Sequence, residues 1–365
     1  MWYDTRVSKI LGIQYPILQG PFGGGLSTVK LTATVSNLGG AGGFGAYTLT
    51  PEEIRQVNTG IRAATDKPYN INLWISDNDV PSGQATAEEF NRAKQLFQPY
   101  FDELGVEFPT TPPTFSSRFE NQVDMLLDLR PPAISFMFGI PSGTILEQCR
   151  KTGIVTMGAA TTLDEAIALE AAGVDLIIAS GFEAGGHRPS FLDTSENSLT
   201  GTFVLVQLIR EKVRTPVIAA GGIATGKGVA AALTLGAEAV QVGTAFLACE
   251  ESGAPEFYRE QLFSDASRYT ALTRAFTGRL GRGLRSRISR ETRGKEDSIL
   301  PFPLQTRLMS PLRQAAIARG RWELILIWGG QITPILKHKR AADLMHSLVE
   351  DTTAYFPQSA AADFL

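Results

Sequence analysis

The chain has 365 residues, 43% of them apolar and 19% charged, which is ordinary for a soluble globular protein and enough to bury a large core without disulfide or metal staples. A net charge of −3 gives no global attraction to nucleic acid or to anionic membranes. Cys149 and Cys249 have no metal-ligand spacing and suit a reducing compartment, and the N-terminus shows no basic-then-apolar leader, so the expected location is cytoplasmic.

From the N-terminus, short apolar runs alternate with helix-like segments. Tyr15 to Gln19 reads as a first strand, Ser27 to Asn37 as a helix, and Gly42 to Ala46 as a second strand end. Thr50, Pro51, Glu52 and Glu53 open a helix, with the threonine as cap, proline in the first turn and acids at the positive end of the dipole. Pro68 to Trp74 is a third strand. Residues 76–115 interrupt the rhythm with an amphipathic helix (Ala85 to Leu104) and a proline-rich piece, and read as an insertion after that strand.

The alternation resumes with a helix from Phe119 to Asp128, a strand at Pro132 to Phe136, a helix from Ser142 to Lys151 and a strand at Ile154 to Met157. Thr162 to Glu165 has capping-box spacing and opens a helix that Gly173 ends. Val174 to Ala179, Pro216 to Ala219 and Ala239 to Val242 supply three more strands, separated by helices at Thr202 to Lys212 and Lys227 to Leu235. Val229 to Cys249, the most apolar long stretch, contains Gly236, Glu238, Gln241 and Gly243 and reads as buried helix plus strand rather than a membrane span. Eight apolar strands alternating with helices predict a closed (β/α)8 TIM barrel. A doubly wound open sheet is the alternative, but G-x-G-x-x-G is missing from the first turn. Residues 255–365 read as a C-terminal helical extension folding back on the barrel, so that 1–365 form one domain. Their arginine run, Arg268 to Lys295, reads as a solvated or interface surface, not a nucleic-acid patch.

In such a barrel the loops after the strands share the catalytic face. Gln19 and Gly20 follow the first strand, Asn72 ends the third, and Ser180 leads to Gly185, Gly186 and His187 after the sixth. Gly221 and Gly222 follow the seventh, and Gln241, Gly243 and Thr244 lie at the end of the eighth. Glycine N–H groups at the last two strand ends, the Thr244 hydroxyl and the helix opening at Thr225 to Lys227 suit a phosphate, although strand-end glycines also serve plain turns. His187 sits after paired glycines, where the backbone can approach a flat ligand, and imidazole exchanges protons near neutral pH. His338 lies among basic residues and His346 on a helix, and both read as surface groups. No His, Cys and acid cluster has metal spacing, and there is no G-x-S-x-G elbow.

Taken in order, Glu183 to Arg188, Pro216 to Ile223, Gly236 to Thr244, Phe276 to Arg279 and Trp328 to Gln331 resemble the nitronate monooxygenase family, formerly 2-nitropropane dioxygenases, from about Ile10 to about Val349. The resemblance implies a barrel holding non-covalent FMN: its phosphate on Gly221, Gly222, Gly243 and Thr244, Asn72 near the flavin, Gly185 and Gly186 along the isoalloxazine, and His187 as base. It implies oxidation of small nitronates or nitroalkanes with O2 to carbonyl compounds and nitrite, with Phe22, Phe302 and Trp328 as candidate pocket walls. The chain departs from the family at Ser180, where many members carry glutamine, and at Phe302-Pro303, where one subclass has tyrosine before the proline. An FMN-dependent NAD(P)H reductase, of the enoyl-acyl-carrier-protein or quinone reductase type, shares the Gly-Gly-His design, and a non-catalytic flavin- or phosphate-binding barrel is the reading of another class. The extension is a candidate homodimer surface or lid.

Overall fold

The structure is a computed structural model and describes residues 1–75 and 84–356. Residues 76–83 of the expected insertion and 357–365 of the expected extension therefore lie outside the described residues.

Among the described residues, eight parallel strands make the barrel: β1 (Ile17–Gln19), β2 (Gly42–Gly45), β3 (Tyr69–Trp74), β4 (Ala133–Met137), β5 (Val155–Ala160), β6 (Leu176–Ser180), β8 (Val217–Ala220) and β9 (Ala239–Val242). Their order is β1-β9-β8-β6-β5-β4-β3-β2. A bridge between Leu18 and Ala41 closes the ring, with the Gln19 amide donating to Ala41 O at 2.9 Å and the Ala41 amide to Ile17 O at 3.0 Å. The fold is a (β/α)8 TIM barrel. The strands are buried along nearly their whole length, as expected where helices cover a parallel sheet.

The helix starts are largely those set by side-chain caps. Thr50 and Glu53 form the reciprocal capping box at the helix Pro51–Ala64. The Thr162 box is only half made. Thr162 accepts from the Glu165 amide, but the buried Glu165 carboxylate turns away to Thr161, accepting from its amide at 2.6 Å and its hydroxyl at 2.7 Å. It also accepts from the Phe191 amide at 2.6 Å. Glu165 thereby anchors the long segment after β6 instead of capping its own helix.

The extension is not wholly helical. After the helix Glu256–Phe263 come β10 (Thr270–Thr273) and β11 (Gly281–Leu284), an antiparallel pair. The helices Leu304–Ala318 and Ala341–Tyr355 follow. The insertion helix Ala87–Glu103 buries Phe90, Phe97 and Phe101 in a cluster with Leu262, Ile288, Leu304 and Leu308 of the extension. Insertion and extension thus share a second core on one end of the barrel. The terminal helix lies against the helix Gly226–Thr234, where Thr352 Oγ1 donates to Gly226 O at 3.3 Å. No helix of the described residues is long and apolar enough to cross a membrane.

Candidate active site

His187 belongs to a strand rather than a loop. β7 (Gly186–His187) pairs antiparallel with β11, setting His187 opposite Gly281 and Gly186 opposite Arg282. The chain around it is pinned by a buried arginine and a half-buried glutamate. The Arg188 guanidinium donates to Gly181 O at 2.6 Å, Ser180 O at 3.0 Å and Ser198 O at 2.9 Å, and burial pushes its pKa down to about 10. The Glu183 carboxylate accepts from the Thr202 amide and hydroxyl, both at 2.9 Å. Gly185 lies so close to the backbone of Gly329 and Gly330 that a β-carbon there would stand 2.6 Å from Gly330 N. The histidine is therefore held between a barrel strand end and the C-terminal extension.

A cavity of about 320 Å³ opens on this face, within the range of small-molecule sites. Gly20, Ser180, Gly185, Gly186, His187, Gly221, Gly222, Gln241, Gly243 and Thr244 all line it. Two of the candidates do not. Gln19 is buried beneath it, its Oε1 accepting from the Gly43 amide at 2.8 Å. Asn72 is likewise buried, donating to Ser135 Oγ at 2.9 Å and accepting from Trp74 Nε1 at 3.1 Å, so that it holds the tryptophan that does face the cavity. Thr225 to Lys227 also lie off the cavity wall.

Around Gly221 and Gly243 the wall is rich in unused hydrogen-bonding groups. The backbone N–H groups of Gly222, Ile223, Gly243 and Thr244 donate to no group among the described residues. Gly221 and Gly222 adopt φ of 111° and 71°, left-handed values that a side chain rarely tolerates. The Thr244 hydroxyl accepts from the Gly330 amide at 2.9 Å, which leaves its proton to donate. Gln241 Oε1 is buried with no partner. Four unpaired donors suit an anion, and an unpaired acceptor nearby suits a ligand N–H. A flavin mononucleotide, with a phosphate at one end and a ring carrying both donor and acceptor edges, fits this donor and acceptor set.

His187 stands at the aromatic part of the cavity. Its ring centroid is 4.7 Å from Trp328, 5.1 Å from Trp74, 6.2 Å from Phe302 and 6.4 Å from Phe138. Tyr47 stacks on Trp74 at 3.7 Å. Behind these rings the Arg279 guanidinium packs 3.8 Å from the Phe138 ring and 4.2 Å from Phe302. Nε2 of His187 lies 2.8 Å from Thr277 Oγ1. Burial first, and the Arg279 charge second, push the imidazole pKa down to about 3. The histidine is therefore neutral throughout the physiological range.

Sequence reasoning missed Tyr47, Trp74, Phe138, Thr277 and Arg279. They come from four separate segments, and although Thr277 and Arg279 lie in the run Phe276 to Arg279 that carries part of the family resemblance, nothing in that run gave either a role. The arginine run is also corrected. Arg282 is buried, donating to Phe182 O and Thr270 Oγ1 at 3.0 Å each, and Arg274 pairs with Glu196 at 2.8 Å. Those two brace the fold, Arg279 packs on Phe138 and Phe302 behind the cavity wall, and only part of the run is solvated. His346 is exposed and His338 partly so.

A family model described as nitronate monooxygenase matches residues 4–351. A probable nitronate monooxygenase of Staphylococcus haemolyticus is 37% identical over 353 residues, covering 96% of this chain and 97% of that protein. One from Staphylococcus aureus is 39% identical over 333 residues, covering 91% and 92%. Among solved structures, a nitroalkane oxidase from Streptomyces ansochromogenes superposes with a TM-score of 0.86 at 34% identity, covering 95% of this chain and 98% of that one. FabK from Thermotoga maritima gives 0.73 at 27% identity, covering 97% of each chain.

Proposed function

The chain belongs to the nitronate monooxygenase family and is a flavin-dependent oxidoreductase, and from that premise we propose that it binds FMN and oxidises small nitronates with O2 to a carbonyl compound and nitrite, His187 admitting neutral nitroalkanes as the base. The observation that carries this reading is one cavity lined both by His187 and by the residues at the ends of β8 and β9 whose backbone N–H groups are unpaired among the described residues.

The bound flavin supplies the electron-accepting and oxygen-reacting chemistry. The protein's part is binding, orientation and charge. Gly221, Gly222, Gly243 and Thr244 would hold the phosphate, and Gln241 would accept from the ring. A nitroalkane has an acidic C–H beside its nitro group. The neutral imidazole of His187 takes that proton, and the electron pair left on carbon spreads onto the nitro oxygens. Trp74, Trp328, Phe138 and Phe302 surround the imidazole with apolar rings. The Arg279 charge, whose field disfavours imidazolium, by the same sign favours an anion formed beside the ring. The same proton transfer creates the anion, so the imidazolium of His187 forms as half of an ion pair rather than as an isolated buried charge.

The test is anaerobic. Nitronate added to the yellow protein is expected to bleach the flavin, and NADH is not. The His187→Asn variant is expected to keep its flavin and to lose about 10²–10⁴-fold in kcat/KM on neutral nitroalkane, with a much smaller loss on preformed nitronate. Rapid bleaching by NADH would move the protein to the NAD(P)H-dependent flavin reductases. Equal losses on the two substrates would remove the base role.

A further inference from the structure

Resting on the base role proposed for His187, we infer that Thr277 is the positioning residue that holds this histidine as its Nε2–H tautomer, so that Nδ1 carries the lone pair that accepts the substrate proton. A threonine hydroxyl has one proton and two lone pairs. Among the described residues, Thr277 Oγ1 has three hydrogen-bonding neighbours: His187 Nε2 at 2.8 Å, Arg279 O at 3.2 Å and Arg279 N at 3.3 Å. The carbonyl can only accept and the amide can only donate. The hydroxyl proton therefore goes to Arg279 O, one lone pair receives the Arg279 N–H, and the remaining lone pair must receive a proton from Nε2. The reverse assignment, with the hydroxyl donating to Nε2, would face two lone-pair oxygens at 3.2 Å and leave the carbonyl without this donor.

The arrangement is rigid on both sides. Thr277 sits in a tight turn closed by Gly278 N donating to Arg274 O at 2.7 Å, and Arg274 Nη1 returns to Gly278 O at 3.1 Å. His187 is fixed by its pairing with Gly281 and by the rings of Trp74 and Trp328. Nδ1 makes no hydrogen bond to the described residues, and the side chain lines the cavity. In the transfer, the substrate C–H bond breaks, its electron pair stays on the nitro-bearing carbon, and an N–H bond forms at Nδ1. The imidazolium then donates from both nitrogens, and Thr277 keeps accepting from Nε2 without rearrangement.

The experiment is a two-bond ¹H–¹⁵N correlation spectrum of the imidazole in the flavin-loaded enzyme. The wild type is expected to show a protonated Nε2 and an unprotonated Nδ1 for His187. Thr277→Val is expected to lose that single-tautomer pattern and to lower kcat/KM on neutral nitroalkane by about 10–100-fold, the usual scale for removing an orienting partner, with little change on preformed nitronate. Thr277→Ser is expected to restore both. A wild-type spectrum with the proton on Nδ1 would overturn the assignment, and so would a Val variant with unchanged spectrum and unchanged substrate ratio. If Thr277→Val does not fold, the wild-type spectrum decides alone. Failure of the enzyme to turn over any nitronate would sink the proposed reaction while the spectrum still judged Thr277.

Discussion

The imidazole of His187 is held far from the behaviour of an ordinary histidine. An ordinary histidine changes charge in the middle of the physiological range, whereas this one is pushed down to about 3 by burial and by Arg279. The sign follows directly. A lowered pKa means that the proton-accepting form is already complete well above 3 and is lost only on acidification toward that value. After allowance for the ionisation of the nitroalkane itself, kcat/KM should be level from about pH 5 to pH 8. An acidic limb with an apparent pKa near the ordinary histidine value of about 6.5 would contradict the enclosed position. The identity of His187 was legible from its place after two glycines and a buried strand. Its neutrality was not, because the rings and the cation that enforce it come from residues 74, 138, 279, 302 and 328.

At the level of elements, the eight barrel strands were readable because each is a buried apolar run bounded by glycine, proline or a capping residue. The small antiparallel sheet was not readable. β7 has two residues, and β11 is Gly-Arg-Gly-Leu, with no alternation to mark it. That sheet nevertheless joins the histidine to the extension. Gly185, one residue earlier, packs directly on the backbone of Gly329 and Gly330. Replacing it by alanine would force Gly329 and Gly330 away by overpacking, at a cost of about 1–3 kcal/mol. Gly185→Ala is expected to lower flavin retention and nitronate turnover while leaving the far-ultraviolet circular dichroism of the barrel in place. Wild-type activity in this variant would show that the contact between loop and extension is dispensable.

For the molecule as a whole, the cavity has one wall from strand ends and the other from the extension, including Thr306, Met309 and Trp328. A ligand filling it touches both and binds only the folded chain, so it adds stability by mass action, about 2.7 kcal/mol at a free concentration one hundred times its Kd. If the proposed phosphate site holds, thermal melting of flavin-free protein should rise strongly with FMN and much less with riboflavin at equal concentration, because only FMN would bring a phosphate to the unpaired amides of Gly222, Ile223, Gly243 and Thr244. Equal shifts would mean that those amides do not hold a phosphate.

The pairing of β7 with β11 also sets an order of events during synthesis. A ribosome delivers the barrel strands first, since β9 ends at Val242, but the partner of His187 lies at Gly281 and the backbone that packs on Gly185 at Gly329 and Gly330. A nascent chain can thus have all its barrel strands in hand while its histidine still lacks its strand partner at Gly281 and the ring of Trp328. The enclosure of the histidine is therefore completed only after the chain through Gly330 has been made.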